Sequence, residues 1–301
     1  MMKVYLNDPI APSAVERLRA HVELVDNFDH PEELDAIILR QQYCTAEVIR
    51  RATRCKLIQQ HGVGLDRIDT KTAAECGIPV KNTPGLNARS VAEYTVAMML
   101  DLSRKVTAID KKTRRGGLPR FGMPETVGNE VAHKRLGLIG SGSIAQQMAQ
   151  ICRDGFHMDI CCHSAHRSDE AVRSLGYTPM SLRELFSACD YVSLHCLLTP
   201  ETHHLVDRKC FENCNPGLIL LNTARGGLVD EDALYEALTS GRIAAAGLDV
   251  FEQQPPSVDN PLLTLDNFLA GMHVAGSTHE ALERTGKAVV DDVFAALGID
   301  G

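Results

Sequence analysis

Short apolar runs alternate with amphipathic helical segments along almost the whole chain of 301 residues. Four of these runs lie in the first hundred residues, and six more lie between residues 136 and 270. Parallel strands need a crossover connection about as long as a helix, so the alternation predicts parallel βαβ units. We therefore expect an α/β protein with two doubly wound parallel-sheet domains, Rossmann-like or flavodoxin-like, and a cleft between the domains.

The predicted elements form two series. The strands of the first series are Lys3–Leu6, Ala36–Leu39, Leu57–Gln60 and Pro79–Asn82, and its helices are Ser13–Ala20, Thr45–Ala52 and Asp69–Cys76. The strands of the second series are Leu136–Ile139, Asp159–His163, Tyr191–His195, Gly217–Asn222, Ala244–Val250 and Phe268–Ala270.

A single long helix is predicted between the two series, from about Arg89 through Lys112. A Gly/Pro-rich loop at 118–128 follows it, and a terminal helix is predicted at Ser277–Leu297. We therefore place one domain at residues 1–101 together with 276–301 and the other at 102–275.

Composition excludes several classes of function. A net charge of −8 argues against a general nucleic-acid or anionic-membrane surface. No apolar run approaches the roughly 18–20 residues that a bilayer crossing needs. The ten cysteines lack paired CxxC spacing, which favours reduced thiols in a cytoplasmic protein over a structural zinc site, so no metal is expected.

A glycine-rich loop lies directly after an apolar strand and opens a helix. Its residues, Gly140-Ser-Gly142-Ser143-Ile144-Ala145, satisfy the pattern G-x-G-x-x-G/A. The glycines permit a tight turn and a close approach of the backbone, and the helix amino terminus offers N–H groups and a positive partial charge. The position between strand and helix predicts a binding site for a dinucleotide pyrophosphate.

The end of the next strand predicts which dinucleotide binds. An acidic residue there would accept hydrogen bonds from the adenosine ribose and repel a 2′-phosphate. This chain instead has Ser164 at that position, followed by His166 and Arg167. A hydroxyl and a guanidinium suit a phosphate better than a carboxylate would, so NADP is predicted as the preferred cofactor, with NAD possible.

Several segments together resemble the D-isomer-specific 2-hydroxyacid dehydrogenase family, which includes phosphoglycerate, glycerate and hydroxypyruvate reductases. The segments begin at His61, Asn82, Asp190, Asn222, Gly247 and Gly271, and the resemblance covers essentially the whole chain. It implies a substrate-binding first domain and a dinucleotide-binding second domain, usually in a homodimer paired through the long helix. The apolar run of that helix at Val91–Leu102 could pack there or within one chain.

The resemblance assigns roles to residues that are far apart in the chain. Arg225 is implied to orient the substrate and His273 to act as acid and base, which suits hydride transfer to a 2-oxo acid because charge develops on the ketone oxygen. Substrate contacts are expected from the amides of Gly62, Val63 and Gly64 and, less strongly, from Arg40. The cofactor contacts predicted by the loop and the resemblance are Gly140, Gly142, Ser143, Ile144, Ser164, His166, Arg167, Cys196, Leu197, Thr223, Ala224, Asp249, His273 and Gly276.

One position departs from the family pattern. A glutamate that would pair with the histidine is replaced by Gln254, which can fix the imidazole by a hydrogen bond but supplies no negative charge. Opposite charges in contact shift a pKa by roughly 1–3 units, so ketone reduction is expected to weaken at lower pH than in relatives with the glutamate.

Three functions stay open at this point. The favoured one is an NAD(P)-dependent reductase of a small 2-oxo acid, acting on no nucleic acid or membrane. Formate dehydrogenases of the same superfamily also pair a glutamine with the histidine, since releasing hydride from formate needs no proton acceptor. A dinucleotide-sensing protein without turnover is the third alternative.

Overall fold

The fold is built on two parallel sheets, seen in a computed structural model that describes residues 1–117 and 123–300. The strands are Lys3–Tyr5 (β1), Glu23–Val25 (β2), Ala36–Leu39 (β3), Ile58–Gln60 (β4), Val80–Lys81 (β5), Arg135–Ile139 (β6), Asp159–His163 (β7), Thr178–Pro179 (β8), Tyr191–Leu194 (β9), Ile219–Asn222 (β10), Ala245–Leu248 (β11) and Phe268–Ala270 (β12).

Helices connect these strands. The α-helices are Pro12–Arg19 (α1), Ala46–Arg51 (α2), Thr70–Glu75 (α3), Ala88–Arg104 (α4), Val106–Arg114 (α5), Ser143–Phe156 (α6), Asp169–Ser174 (α7), Leu182–Ala188 (α8), Arg208–Glu212 (α9), Glu231–Thr239 (α10) and His279–Leu297 (α11). Short 3₁₀ turns lie at Pro31–Glu33, Pro124–Thr126, Gly226–Leu228 and Pro261–Thr264.

Unit 1 comprises residues 1–87 and 277–301 and contains the sheet β2-β1-β3-β4-β5. Successive residues of a strand point to opposite faces, so the buried run of β3 supplies both. Helices α1 and α11 cover one face, where Leu18 and Phe294 pack with Ile38. On the other face, Ile49 of α2 packs with Ile37. The order 2-1-3-4-5 is the flavodoxin-like arrangement that was predicted.

Unit 2 comprises residues 88–276 and contains the sheet β8-β7-β6-β9-β10-β11-β12. One face packs against α4 and α6 through Met99 and Met148, and the other packs against α8 and α10 through Phe186 and Leu234. Strand order reverses between β6 and β9, and open α/β sheets bind ligands at such a reversal. This is the Rossmann order, so both predicted sheet types are present.

The division of the chain differs from the predicted one, because it falls between residues 87 and 88 rather than between 101 and 102. Helix α4 therefore belongs entirely to unit 2. Its apolar residues Val96, Met98 and Met99 are buried in the core that also contains β6 and α6. The apolar face of α4 that was considered for a dimer is thus largely buried within one chain.

The predicted single helix from Arg89 through Lys112 is in fact two helices. Lys105 adopts a left-handed conformation (φ 56°) that ends α4. The Asp101 carboxylate then accepts hydrogen bonds from the backbone N–H and the hydroxyl of Thr107, at 2.7 and 2.6 Å, which satisfies the first turn of α5.

Two edge strands were not predicted. Strands β2 and β8 contain three and two residues, too few for an alternating pattern to be recognised. Residues 118–122 of the predicted loop lie outside the described residues. None of the helices described combines the length and apolar character needed to cross a bilayer.

Candidate active site

The carboxyl ends of three adjacent strands of unit 2 bring together the residues predicted to act in catalysis. In the parallel ladder Asn222 of β10 is level with Leu248 of β11, which is level with Ala270 of β12. Neighbouring strands are about 4.8 Å apart. Arg225, Asp249 and His273 each follow one of these ends within three residues.

Hydrogen bonds from the side chain of Asn222 fix the backbone of the segment that carries Arg225. This fully buried side chain accepts a hydrogen bond from the N–H of Ala224 at 3.0 Å and donates to the carbonyl of Arg225 at 2.8 Å. Both functions of the amide are therefore used to fold the backbone into a turn. The Arg225 guanidinium donates back to the Ala224 carbonyl at 2.7 Å, which limits how far the side chain swings.

Gly226 brings this turn against the segment that follows β11. A Cβ at position 226 would lie 1.9 Å from the carbonyl carbon of Phe251 and 2.4 Å from the backbone nitrogen of Glu252. Real Cβ contacts are never so short, so only glycine permits this approach. The turn of Arg225 and the loop that leads to Gln254 are consequently in direct backbone contact.

Asp249 organises the backbone around His273. Its carboxylate is 1% exposed and accepts hydrogen bonds from the N–H groups of Val274 at 3.1 Å and Ala275 at 2.8 Å, while its carbonyl accepts from the His273 N–H. His273 itself is left-handed (φ 57°), a conformation that costs an L-residue roughly 1–2 kcal/mol. The bonds to Asp249 stabilise this local strain, which is typical of functional sites.

The His273 ring contacts Gln254. Its Nδ1 donates to the amide oxygen of Gln254 at 3.0 Å. The bond fixes the plane of the imidazole, and it directs Nε2 away from Gln254. The structure therefore brings together Gln254, which follows β11, and His273, which follows β12.

Tyr94 of α4 is a member of this cluster that the sequence did not reveal. Burial, followed by the adjacent charge of Asp249, raises the pKa of its phenol, so the hydroxyl is protonated and hydrogen-bonded to that carboxylate. Burial also raises the pKa of Asp249, although hydrogen bonds from Ala275 and Val274 oppose the shift. A tyrosine in an amphipathic helix carries no sequence signal that would distinguish it from a core residue.

The glycine-rich loop leaves room for a bound group at the amino end of α6. Gly140 has φ +101°, and a Cβ there would lie 2.7 Å from the carbonyl oxygen of His195. Gly142, the N-cap of α6, has nothing within 4 Å of the corresponding position, and no side chain caps the helix. The N–H groups at the start of α6, which include those of Ser143 and Ile144, are not capped by a side chain. These N–H groups and the open space beside them fit a pyrophosphate.

The residues predicted to select the cofactor follow β7 beside this loop. Ser164 Oγ accepts a hydrogen bond from the Arg167 N–H at 3.2 Å and lies 3.5 Å from the hydroxyl of Ser141. His166 and Arg167 are exposed. The acidic residue of this strand, Asp159, pairs with Arg135 at the opposite end of the ladder.

The cofactor positions predicted after β9 and β10 differ in exposure. Cys196 is half-buried and burial raises its thiol pKa to about 11, whereas Leu197 is 68% exposed. Thr223 is buried, with its hydroxyl 2.9 Å from that of Thr95 in α4. Ala224 and Gly276 are half-buried.

Unit 1 holds the predicted substrate loop. The Gly62 N–H donates to the hydroxyl of Thr83 at 2.9 Å, so this amide, which was expected to bind substrate, is already engaged. Among the described residues, the N–H groups of Val63 and Gly64 donate to no protein acceptor. The Arg40 guanidinium donates to the Pro9 carbonyl at 2.7 Å and to the Ser277 hydroxyl at 2.8 Å.

Comparison with known proteins identifies the family. A model described as "D-isomer specific 2-hydroxyacid dehydrogenase, NAD binding domain" matches residues 96–275. The chain belongs to this family. The match supports a nicotinamide cofactor, and it includes most of the helix α4 that packs into unit 2.

Relatives from other organisms extend the similarity to the whole chain. A hydroxypyruvate reductase of Thermotoga maritima is 37% identical over 309 residues, covering 99% of both chains. A D-3-phosphoglycerate dehydrogenase of Archaeoglobus fulgidus is 36% identical over 97% of this chain, which spans only 56% of that relative.

Solved structures confirm the predicted two-sheet α/β fold. The TT0316 protein of Thermus thermophilus superimposes with a TM-score of 0.89 at 34% identity, covering 99% of this chain and 98% of the other. A D-lactate dehydrogenase of Aquifex aeolicus, solved with NAD and lactic acid, gives a TM-score of 0.87 at 28% identity, covering 98% and 95%. The family and its class of dehydrogenases and reductases, as predicted from the sequence, are thus supported throughout the chain.

Proposed function

We propose that the protein is a reductase of a small 2-oxo acid that prefers NADPH and forms the corresponding D-2-hydroxy acid. The observation that carries the proposal is the hydrogen bond between His273, which follows β12, and Gln254, which follows β11, the strand adjacent to the one that precedes Arg225. A positioned imidazole and a guanidinium are the two groups that a carbonyl next to a carboxylate requires. The hydride comes from the reduced nicotinamide.

Arg225 supplies the fixed positive charge. Its planar fork can hold a carboxylate oxygen and the ketone oxygen together, and it stabilises the charge that develops as hydride reaches the ketone carbon. The bonds from Asn222 keep the backbone of Arg225 in place while this happens.

His273 supplies the proton. With Nδ1 bonded to Gln254, its Nε2 is assigned to the ketone oxygen, which becomes the hydroxyl of the product. One hydride and one proton are thus added across the C=O bond, and the reverse reaction removes them. The N–H groups of Val63 and Gly64 are assigned to the substrate carboxylate, and Arg40 is assigned a subsidiary contact through its remaining donors.

NADP preference rests on the residues after β7. Ser164, His166 and Arg167 offer a hydroxyl, an imidazole and a guanidinium where an acid would select NAD. The N–H groups at the start of α6 and the glycines of the preceding loop are assigned to the pyrophosphate. Thr223, Ala224 and Asp249 are assigned to the nicotinamide side, and Cys196, Leu197 and Gly276 to the walls of the same site.

Hydroxypyruvate and glyoxylate are the first substrates to test. The Thermotoga maritima relative is a hydroxypyruvate reductase that matches this chain from end to end. The Archaeoglobus fulgidus relative acts as a phosphoglycerate dehydrogenase in a longer chain, so its substrate carries less weight. A cytoplasmic homodimer is part of the proposal, and sedimentation of the purified protein measures the assembly.

Formate oxidation is the second candidate, because a neutral Gln254 beside His273 suits a reaction that needs no proton acceptor. The decisive experiment follows the absorbance of NADPH or NADH with hydroxypyruvate, glyoxylate and bulkier 2-oxo acids, and follows NADP⁺ or NAD⁺ with formate. Turnover of a 2-oxo acid is expected. Turnover of formate alone supports the second candidate, and cofactor binding without any turnover supports a sensor.

A variant pair makes this assay specific to the proposed site. Arg225→Gln should lower kcat/KM at least about 100-fold, since it removes a charge-assisted bidentate contact, while NADPH binding is retained. Arg208→Gln removes an arginine of the same charge whose exposed side chain pairs with Glu236, and its kcat/KM should match the parent.

A further inference from the structure

The loop that carries Gln254 is fixed at two points by a single carboxylate. Glu231, the first residue of α10, accepts a hydrogen bond from the backbone N–H of Glu252 at 2.8 Å through Oε1 and from the side-chain amide of Asn260 at 2.8 Å through Oε2. The two contacts lie on either side of Gln254 in the chain. The Glu231 side chain thus forms hydrogen bonds at both ends of the loop that carries Gln254.

The orientation of Asn260 is itself determined. Its oxygen accepts a hydrogen bond from the Leu262 N–H at 3.0 Å and caps the 3₁₀ turn at Pro261–Thr264, so its nitrogen must face Glu231. Leu262 is fully buried in the core of unit 2. The far end of the loop is therefore tied both to α10 and to the core.

The near end has a second tie through the Glu252 side chain. Its carboxylate lies 2.6 Å from Nε2 of His204, whose ring stacks on that of His203 with centroids 4.0 Å apart. Both His204 and Glu252 are more than a third exposed, and exposed ion pairs contribute little to stability. The half-buried Glu231 is the stronger constraint on the backbone.

We propose that Glu231 is a positioning residue for the reaction, acting through Gln254 on the imidazole of His273. A single neutral amide–imidazole hydrogen bond is too weak to hold a loop in place against the conformational entropy of that loop. The loop must therefore be held by other contacts, and Glu231 makes two of them. This inference rests on the proposed function for its effect on turnover but not for its effect on the His273 ring.

Glu231→Ala tests the proposal, with Glu231→Gln as a milder variant of the same shape that keeps one acceptor oxygen. In Glu231→Ala we expect kcat for 2-oxo acid reduction to fall at least about tenfold, with KM and binding of the cofactor within twofold of the parent. The kcat of Glu231→Gln should lie between that of Glu231→Ala and that of the parent. Glu236→Ala is the matched control, because Glu236 lies on the same helix and pairs with the exposed Arg208.

A double-variant cycle separates positioning from general stability. If Glu231 acts through Gln254, adding Glu231→Ala to Gln254→Ala should change kcat by less than twofold, whereas the two losses would multiply if they were independent. Nitrogen NMR of the imidazole gives a readout without turnover. The Nδ1–H signal of His273, assigned by its loss in His273→Asn, should be protected in the parent and exchange rapidly in Glu231→Ala.

An unchanged Nδ1–H signal, or a kcat of folded Glu231→Ala and Glu231→Gln within twofold of the parent, overturns the proposal. A parent protein that turns over no 2-oxo acid contradicts the proposed function instead. The imidazole signal still decides the role of Glu231 in that case, so the two failures are distinguishable.

Discussion

The amide oxygen of Gln254 accepts a hydrogen bond from Nδ1 of His273 at 3.0 Å. This contact gives the imidazole a fixed plane without giving it a counter-ion. The arrangement separates two functions that a carboxylate would combine, namely orienting the ring and stabilising its cation. The pH range of the proposed ketone reduction should depend on that separation.

Gln254→Glu adds the missing charge without changing the length of the side chain. A carboxylate at this distance favours the protonated ring, so the pH above which reduction declines should move upward by about 1–3 units. The measurement is kcat/KM for a 2-oxo acid from pH 5 to 9 in buffers of constant ionic strength. Gln253→Glu is the control, since it adds the same charge at an exposed neighbouring position.

Profiles of parent and Gln254→Glu that overlay would show that the charge at position 254 does not reach the reacting proton. A shift of equal size in Gln253→Glu would show only a general effect of net charge.

The cofactor preference depends on few side chains, so exchange of one should reverse it. Ser164→Asp places a carboxylate beside the ribose position, and its repulsion of a 2′-phosphate should lower the ratio of kcat/KM for NADPH to that for NADH by about 10–100-fold. Arg167→Ala should lower kcat/KM for NADPH and leave kcat/KM for NADH within twofold of the parent. Arg173→Ala, which removes an exposed arginine paired with Asp169 on α7, should change neither.

A parent protein with higher kcat/KM for NADH would contradict the preference, whatever the variants do. If Arg167→Ala lowers kcat/KM for both NADPH and NADH, Arg167 contacts a part of the dinucleotide that the two cofactors share.

The sequence predicts the central strands and the glycine-rich loop because each carries its signal locally. Strand β7, for example, contains the buried apolar run Ile160-Cys-Cys162 between Asp159 and His163, and its predicted bounds agree with those observed. The break at Lys105 was missed because an amphipathic pattern continues across it. A single left-handed residue, followed by a helix whose first turn is satisfied by Asp101, leaves no periodic signal.

The supporting residues of the candidate site could not be predicted for a related reason. Tyr94 meets Asp249, and Glu231 meets Asn260, only after the sheet has formed. Their contacts join residues of different elements, so neither spacing nor composition indicates them. The residues proposed to contact a ligand belong to short motifs, whereas those that hold them in place are distributed over the fold.

Gly226 offers a test of how tightly the Arg225 turn and the Gln254 loop are packed. A methyl group at this position would overlap the Phe251 carbonyl, so Gly226→Ala must displace backbone and should cost more than about 3 kcal/mol of unfolding free energy. Gly155→Ala is the counterpart within α6, where nothing lies within 4 Å, and it should stabilise by about 0.5–1 kcal/mol. Urea unfolding measures both.

A Gly226→Ala protein as stable as the parent would mean that the two loops can separate. If Gly226→Ala loses activity but keeps its stability, the two loops have separated and the contact of Gln254 with His273 has been displaced.

His61 predicts how stability depends on pH. The residue is 7% exposed at the end of β4, and burial, followed by the nearby charge of Arg40, lowers its pKa to about 4. An unfolded histidine takes up its proton near pH 6.5. Between these values the unfolded state binds more protons than the folded state, so the free energy of unfolding decreases as the pH falls. The contribution of His61 is fully present above about pH 6.5, and the loss levels off below about pH 4.

The gap of about 2.5 units corresponds to a loss of about 3 kcal/mol over that range at 1.36 kcal/mol per unit. His195, whose pKa burial also lowers to about 4, adds a smaller loss because its side chain is partly exposed. Unfolding free energies of the cofactor-free protein at pH 7 and pH 4.5 measure the total. His61→Gln should reduce the difference between the two pH values, even if it lowers stability at both, because the amide does not titrate.

His166→Gln provides the reference for this comparison, since it makes the same substitution at an exposed histidine. A parent whose unfolding free energy is equal at pH 7 and pH 4.5 would mean that the ring of His61 gains a compensating acceptor when protonated. Asp8, whose charge opposes that of Arg40 at this ring, is the group placed to provide it. An Asp8→Asn variant would then restore the loss of stability at low pH, which identifies the compensation by its source.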